Sequence, residues 1–389
     1  MRLPDLQAAA SLAALALLAL PCRATEGLPE MSPLGLRTQG TLRELFLDVT
    51  AADARSEGTY LLDVRYSIAN DWGVPTALQR GGTTLVYQLD EQADSLNIAL
   101  RVPWSRLFGP GPWLPAGRPL FERISTTFEL RGTLHWGGWT DAPIEAWHEV
   151  SGAFNFDRDT FPRNRIGLYL GNLDGAAFDV QSARLAFGDI VVRNQVTLFE
   201  GGYSAGALAP SGELRPARAL AARIDVKLPT GSLASVGGSG GFDAGVALLG
   251  TAEVAWWLTV HGLASLAYTS NWSTNLELQP KPWHGTAEVS LVAAIAGWAF
   301  IVEDRVVTPL LMPGWSREEA GGNDGLLASS YFGSFRAHNQ LSFALRRGRF
   351  SFWLSEDFTP GANPRSNLKW LYNSNAPDVV LGLAYRREL

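Results

Sequence analysis

The sequence predicts an all-β protein: an antiparallel transmembrane β-barrel of about 12–14 strands with a short helix in a long outer loop. Three observations predict it. The N-terminus carries an export signal, apolar and polar residues alternate over segments of about 9–15 residues, and connections in the C-terminal half alternate between long and tight.

Arg2 supplies a positive start, Ala8 to Leu20 forms an apolar run of about 13 residues, and Cys22-Arg23-Ala24 offers a small-residue cleavage site. A signal peptide over 1–24 and a single barrel domain over 25–389 follow. Lipidation at Cys22 would want a small residue where Pro21 stands. Cys22 is the only cysteine, so the exported chain is expected to hold no disulfide, thiol nucleophile or cysteine metal site. The net charge of −6, without a basic tract, points away from a nucleic-acid partner. The longest apolar stretch after the signal, Val289 to Val302, falls short of the roughly 20 residues of a spanning helix. A helical hairpin over 246–302 would also have to bury Glu253, His261 and Glu288.

The strands are read from their period of two. In Thr59 to Asn70, Tyr60, Leu62, Val64, Tyr66 and Ile68 share one face, and Asp63, Arg65 and Ser67 share the other. Ser95 to Val102 sets Leu96, Ile98, Leu100 and Val102 against Ser95, Asn97 and Arg101. Ala219 to Leu228 sets Leu220, Ala222, Ile224, Val226 and Leu228 against Arg223, Asp225 and Lys227. Further segments are Asp189–Phe199, Phe242–Ala255, Leu258–Thr269, Thr286–Phe300, Arg305–Met312, Tyr331–Arg346, Arg349–Phe358 and Asp378–Leu389.

Working back from the C-terminus, Thr359–Pro377, Trp315–Ser330, Ser270–His284 and Pro229–Gly241 read as long outer loops. Arg347-Gly348, Glu303-Asp304 and Trp256-Trp257 read as tight periplasmic turns, the paired Trp suiting an interfacial belt. Glu200–Ala217 is long where a short turn is due, and Thr41–Thr50 reads as one strand too many. Residues 103–162 form a long extracellular loop or lid. Its segment Pro143–Ala153 predicts a helix capped by Asp141, with Ile144, Trp147 and Val150 on one face.

An ordered set of motifs carries a family likeness. It comprises Pro33-Leu-Gly-Leu-Arg-Thr-Gln39, Ile144-Glu-Ala-Trp-His-Glu-Val-Ser-Gly152, Asp157-Arg-Asp-Thr-Phe-Pro-Arg-Asn-Arg165 and Gly188-Asp-Ile190. It continues through Lys227-Leu-Pro-Thr-Gly231, Gly238-Ser-Gly-Gly-Phe-Asp243, Ser355-Glu-Asp357 and Ala376-Pro-Asp-Val379. In these the chain resembles a family of proteobacterial outer-membrane β-barrels catalogued as a domain of unknown function. The resemblance implies a barrel and an outer-membrane location, and it brings no reaction and no ligand. The chain departs from barrels that end in Phe or Trp: it closes on Leu389 after Arg386-Arg387-Glu388. The insert Gly201–Ala217 is a second departure.

No catalytic set emerges. The histidines (His135, His148, His261, His284, His338) lack zinc spacing, so no metal and no cofactor are expected. A lipid-modifying enzyme of the outer membrane would want His and Ser two residues apart on a strand, and no His-x-Ser occurs. Gly237-Gly-Ser-Gly-Gly241 leads into a strand, not a helix, and reads as a loop. Two polar groups remain. Asp63, Arg65, Arg101, Arg223, Asp225 and Lys227 are expected to face the lumen, lining a pore or pairing to plug it. His148, Glu149, Arg158, Asp159, Arg163 and Arg165 form a polar cluster in the outer loop, read as a lid helix pinned by ion pairs or a ligand site at the mouth. The function expected is a passive or gated channel for a small solute. The alternatives are a structural or interaction barrel with a plugged lumen, or the lipid-modifying enzyme. The partners expected are outer-membrane lipid and the barrel-assembly machinery.

Overall fold

In the computed structural model the residues described are 29–37, 43–56, 58–80, 83–113, 119–151, 162–172, 175–202, 216–272, 279–310, 316–317, 338–360, 371–373 and 379–389. The expected signal peptide lies outside them.

Twelve antiparallel strands close into a barrel. They are β1 (Leu61–Arg80), β2 (Thr83–Pro103), β3 (Ile124–Trp136), β4 (Ile190–Gly201), β5 (Arg218–Leu228) and β6 (Asp243–Ala255). β7 (Leu258–Thr269), β8 (Trp283–Ile295), β9 (Trp298–Val307), β10 (His338–Arg347), β11 (Phe350–Pro360) and β12 (Val380–Glu388) complete the circuit. Each strand pairs with its neighbours in sequence, and β12 returns to β1 with Leu61 opposite Glu388 and Ala69 opposite Val380. Closure removes the open edge that a bilayer cannot satisfy.

Alternation decides which face each residue takes. On β5, Leu220, Ile224 and Leu228 are exposed outward, while Ala219, Ala221, Arg223, Asp225 and Lys227 are buried inward. The outward set continues around the barrel as Val246 and Leu248, Val289 and Leu291, Phe343 and Leu345, and Phe352 and Leu354. Such an apolar belt over a polar interior marks a membrane-spanning barrel. Aromatics stand at both rims. Trp256 and Trp257 are exposed at the β6–β7 turn, and at the opposite end Tyr268 packs on Trp283 with ring centroids 5.3 Å apart. The rim holding the first residues of β1 and the last of β12 is called the near mouth below, its opposite the far mouth.

The structure corrects the strand reading in three places. First, the segment 103–162 is not one outer loop, because β3 crosses the barrel within it, pairing with β2 and β4. Second, Glu303-Asp304 is not a turn: it lies within β9, paired with Ser290 and Val289 of β8. The turn is Ala296-Gly297, both at positive φ (49° and 78°), as a two-residue hairpin requires. The expected strand Arg305–Met312 is thereby only the end of β9. Third, residues 43–50 are no wall strand but run inside the barrel.

The first hairpin is unusually long, at 20 and 21 residues. A strand of 20 residues spans about 66 Å, about twice what a tilted strand needs to cross the hydrocarbon. Its far half is covered by the hairpin Leu168–Asn172 and Gly175–Val180, which pairs with β2 through Val86 and Gly171. The helix expected near residue 143 is present as Asp141–Ser151. Ile144 is buried, but Val150 is exposed and does not share its packing face.

Candidate functional site: the occupied lumen

The lumen is filled by the chain's own N-terminal segment, described over residues 29–37 and 43–56. It enters at the near mouth beside Arg346 and Arg386, turns at Leu45 and Phe46 near the far mouth, and returns toward the near mouth to start β1. Twelve strands about 4.8 Å apart and tilted about 40° enclose a backbone diameter of roughly 24 Å. Lumen side chains occupy part of that width, leaving space for two passes of chain.

Packing explains where the two limbs lie. Met31, Leu34 and Leu36 of the ascending limb pack on Val292, Ala294, Ala299, Ile301, Ala344, Trp353 and Ala384 of β8–β12. Leu47, Val49, Ala51 and Ala54 of the descending limb pack on Val191, Ala219, Ala221, Ala247, Leu249, Leu263 and Ala267 of β4–β7. Alanines at these lumen positions let backbone approach the wall. The bend itself sits under an apolar cap in which Phe46 meets Trp272 edge-on at 5.7 Å, with Leu233, Val236 and Leu310 around it.

Gly35 holds the limbs together. Its φ is +60°, and a Cβ there would collide with the Ala51 carbonyl oxygen across the plug. Only glycine meets both demands without strain.

An irregular backbone buried inside a barrel has no strand partner, so its N–H and C=O groups must be satisfied by side chains. The charged residues of the wall do this. Glu303 accepts from the amides of Leu34 (2.6 Å), Gly35 (3.1 Å) and Leu36 (3.4 Å). Asp243 accepts from Leu47 N at 2.8 Å and Glu288 from Ala51 N at 3.0 Å. The cations take the carbonyls: Arg65 donates to Gly35 O (2.7 Å), Arg305 to Leu36 O and Val49 O, and Arg193 to Asp48 O (3.0 Å). Arg223 donates to Thr50 O (2.6 Å), Lys227 to Leu45 O (2.5 Å), and Arg346 to Glu30 O and Ser32 O. His261 Nε2 meets Met31 O at 2.8 Å; a carbonyl can only accept, so the proton sits on Nε2.

Ion pairs knit these groups sideways. Arg305 pairs with Asp48 of the plug. Arg193 bridges Glu129 (2.9 Å) and Asp225 (2.7 Å), and Arg37 of the plug reaches Glu129 at 2.5 Å. Lys227, almost wholly buried, sits between Asp243 (2.9 Å), Asp189 (3.3 Å) and Ser239 Oγ (2.7 Å). At the near mouth Arg386 joins Asp63 (2.8 Å) to Glu30 (2.7 Å). Burial would raise the Glu30 carboxyl, but Arg386 and Arg346 outweigh it and hold the group at about 2. Asp53 is likewise held well below the usual carboxylate range, because the Arg55 guanidinium beside it overcomes burial.

Asp63, Arg65, Arg101, Arg223, Asp225 and Lys227 all occupy lumen positions, where Arg65, Arg223 and Lys227 grip plug carbonyls and Asp63 pairs with Arg65 at 2.7 Å. Arg101 lines a cavity between plug and wall. The outer-loop set is not gathered in the same way. Arg163 pairs with Glu145 rather than Glu149, and Glu149 and Arg165 are exposed. Asp141 receives Asn70 Nδ2 (3.0 Å) and Asn164 N (2.6 Å), tying the helix to the first hairpin. Arg158, Asp159 and the His148 side chain lie outside the described residues. Sequence reasoning missed Glu129, Arg193, Glu288, Glu303, Arg305, Arg346 and Arg386. Their signal was present, since each falls on the inward parity of its strand, but three sat on strands placed wrongly or not recognised.

No family model matches the chain, and none of the curated proteins does. Among solved structures it is similar to an outer membrane channel from Pseudomonas putida F1, with 10% identity and a TM-score of 0.43 over 88% of this chain and all of that one. It is also similar to the NanC porin, at 7% identity and a TM-score of 0.35 over 84% and 97% of the two chains. A third is BamA from Haemophilus ducreyi, at 9% identity and a TM-score of 0.30 over 97% and 79%. At these values the likeness lies in the fold alone.

Proposed function

We propose that this protein is an outer-membrane barrel acting as a gated channel for a small solute, and that residues 29–56 are its gate. One observation carries the reading. The space inside the wall is taken up by a segment that is no part of the strand ladder and is held, among the described residues, by side-chain contacts alone. Take that segment away and the wall presents the charged residues that grip it, from Asp63 to Arg386, with alanines and two apolar strips between them, and the charged groups offer a polar path. In this reading the chain is exported on a cleaved signal peptide and inserted by the barrel-assembly machinery.

A second reading is favoured by the three apolar clusters that fasten the plug along its length. It makes the plug permanent and the barrel a structural or interaction protein of the envelope. Liposome swelling separates the two. Vesicles containing the purified protein are diluted into iso-osmotic small solutes, and a channel swells them at a rate that rises with protein content. Swelling no faster than protein-free vesicles, for every solute up to amino-acid size, supports the permanent plug instead.

A further inference from the structure

We propose that the space left between plug and wall is a binding site for a small oxyanion, a carboxylate or a phosphate. The plug packs against β4–β12 and leaves a gap on the side of β1–β3. The gap measures about 110 Å³, room for several waters or one small anion. Plug residues 30–37 and 50–53 close one side, and wall residues of β1–β5 and β12 close the other.

Six guanidinium groups line it: Arg37, Arg65, Arg101, Arg193, Arg223 and Arg386. The lining carboxylates are Glu30, Asp53, Asp63 and Glu129, and each already has an arginine. Glu30 pairs with Arg386 at 2.7 Å, and Asp63 with Arg65 and Arg386 at 2.7 and 2.8 Å. Glu129 pairs with Arg37 and Arg193 at 2.5 and 2.9 Å, and Asp53 with Arg55 at 2.5 Å. Asp225 stands behind Arg193 and Arg223 and takes up part of the excess positive charge.

The balance of donors and acceptors then selects the ligand. Each guanidinium offers five N–H donors and no acceptor; Arg65, Arg193, Arg223 and Arg386 spend most of theirs on these carboxylates and on plug carbonyls, so the unspent donors lie with Arg37. Arg37 places only Nη1 on Glu129, and its buried Nε makes no hydrogen bond among the described residues. Asn97, Ser125, Thr127 and Gln195 add neutral polar groups around the same space. A cation would meet carboxylates already paired. A planar or tetrahedral oxyanion meets a net positive lining and the unspent donors of Arg37.

Arg37 belongs to the plug, whereas Arg65 and Arg101 belong to the wall. An anion touching both ties its own binding to the seated plug and stabilises that state by linkage. The inference rests on the lumen being reached by solute, as the channel reading has it, but it requires no current to flow.

The test is isothermal titration of the purified full-length protein in detergent with sodium phosphate and with sodium acetate, at constant ionic strength set by chloride. The Arg37→Gln and Arg101→Gln variants are titrated in parallel, each shown to be a folded barrel by its gel shift on boiling. Saturable heat for either anion, weakened tenfold or more in both variants, is expected; the preferred anion distinguishes a phosphate-type from a carboxylate ligand. Because Arg37 lies outside the strands, R37Q remains decisive if R101Q does not fold. No saturable heat for either anion, or folded variants that bind like the unaltered chain, overturns the proposal. A barrel that swells liposomes yet binds neither anion loses this inference alone; one that binds without swelling loses the channel reading alone.

Discussion

Glu303 is the point where the plug is most exposed to a single substitution. Its carboxylate accepts from Leu34 N and Gly35 N at 2.6 and 3.1 Å, with Leu36 N at the limit of a useful bond at 3.4 Å. Hydrogen bonds to a charged group contribute about 1.5–3 kcal/mol each. Counting the two good ones, Glu303→Ala removes roughly 3–6 kcal/mol that holds the ascending limb. At about 1.4 kcal/mol per tenfold, the ratio of released to seated plug rises by roughly two orders of magnitude or more. The strand itself is spared, because its ladder to β8 and β10 is backbone. Single-channel recording in planar bilayers reads the result directly: E303A opens far more often than the unaltered chain, and E303Q, which keeps one acceptor oxygen, falls between. If folded E303A gates no differently, the carboxylate does not hold the plug and the reasoning fails.

Three further outcomes follow from the same geometry. Gly35→Val places a branched side chain at φ +60° against the Ala51 carbonyl; the left-handed backbone alone costs about 1–2 kcal/mol. The barrel should keep its gel shift while protease cuts the plug faster, and unchanged protease resistance would contradict the limb packing. Lys227→Met strands the Asp189 and Asp243 carboxylates in the interior, a loss of about 3–5 kcal/mol that should lower the urea midpoint of barrel unfolding. An unaltered midpoint would show those carboxylates to be solvated. Glu30 sets an acid limit. Its folded value is depressed to about 2, so its contribution is complete above the usual carboxylate range and is lost as pH falls through about 2. Protection factors of the amides at residues 31–36, which correct for intrinsic exchange, should therefore hold at pH 5 and fall progressively between about 4.5 and about 2. Glu30→Gln should remove the contribution of this group to that dependence.

Some of this architecture is legible in the sequence, and the reasons are physical. β5 is read correctly because its polar inward residues and apolar outward ones alternate without interruption from Leu220 to Leu228. The Trp256-Trp257 turn is read because two bulky aromatics interrupt two strands of opposite phase. β3 escapes notice because Thr126 and Gly132 break its outward apolar row of Ile124, Phe128, Leu130, Leu134 and Trp136, and it sits behind a Pro/Gly-rich stretch. Glu303-Asp304 imitates a turn because charges cluster there, yet Glu303 and Arg305 point inward to bind the plug. The true turn, Ala296-Gly297, hides inside an apolar run. The plug is the deepest miss. Leu45, Leu47, Val49 and Ala51 alternate like a wall strand because the segment also lies between an apolar surface and a polar one. Nothing local separates a strand in the wall from a strand within it.

The central claim is that residues 29–56 close an otherwise open lumen, and planar-bilayer conductance of a chain lacking them tests it most directly. The deleted barrel, shown to be folded by its gel shift, should carry a steady ionic current where the full chain gives rare, brief openings. A folded deletion variant that conducts no more than the full chain, or a full chain that is steadily open, would contradict the account.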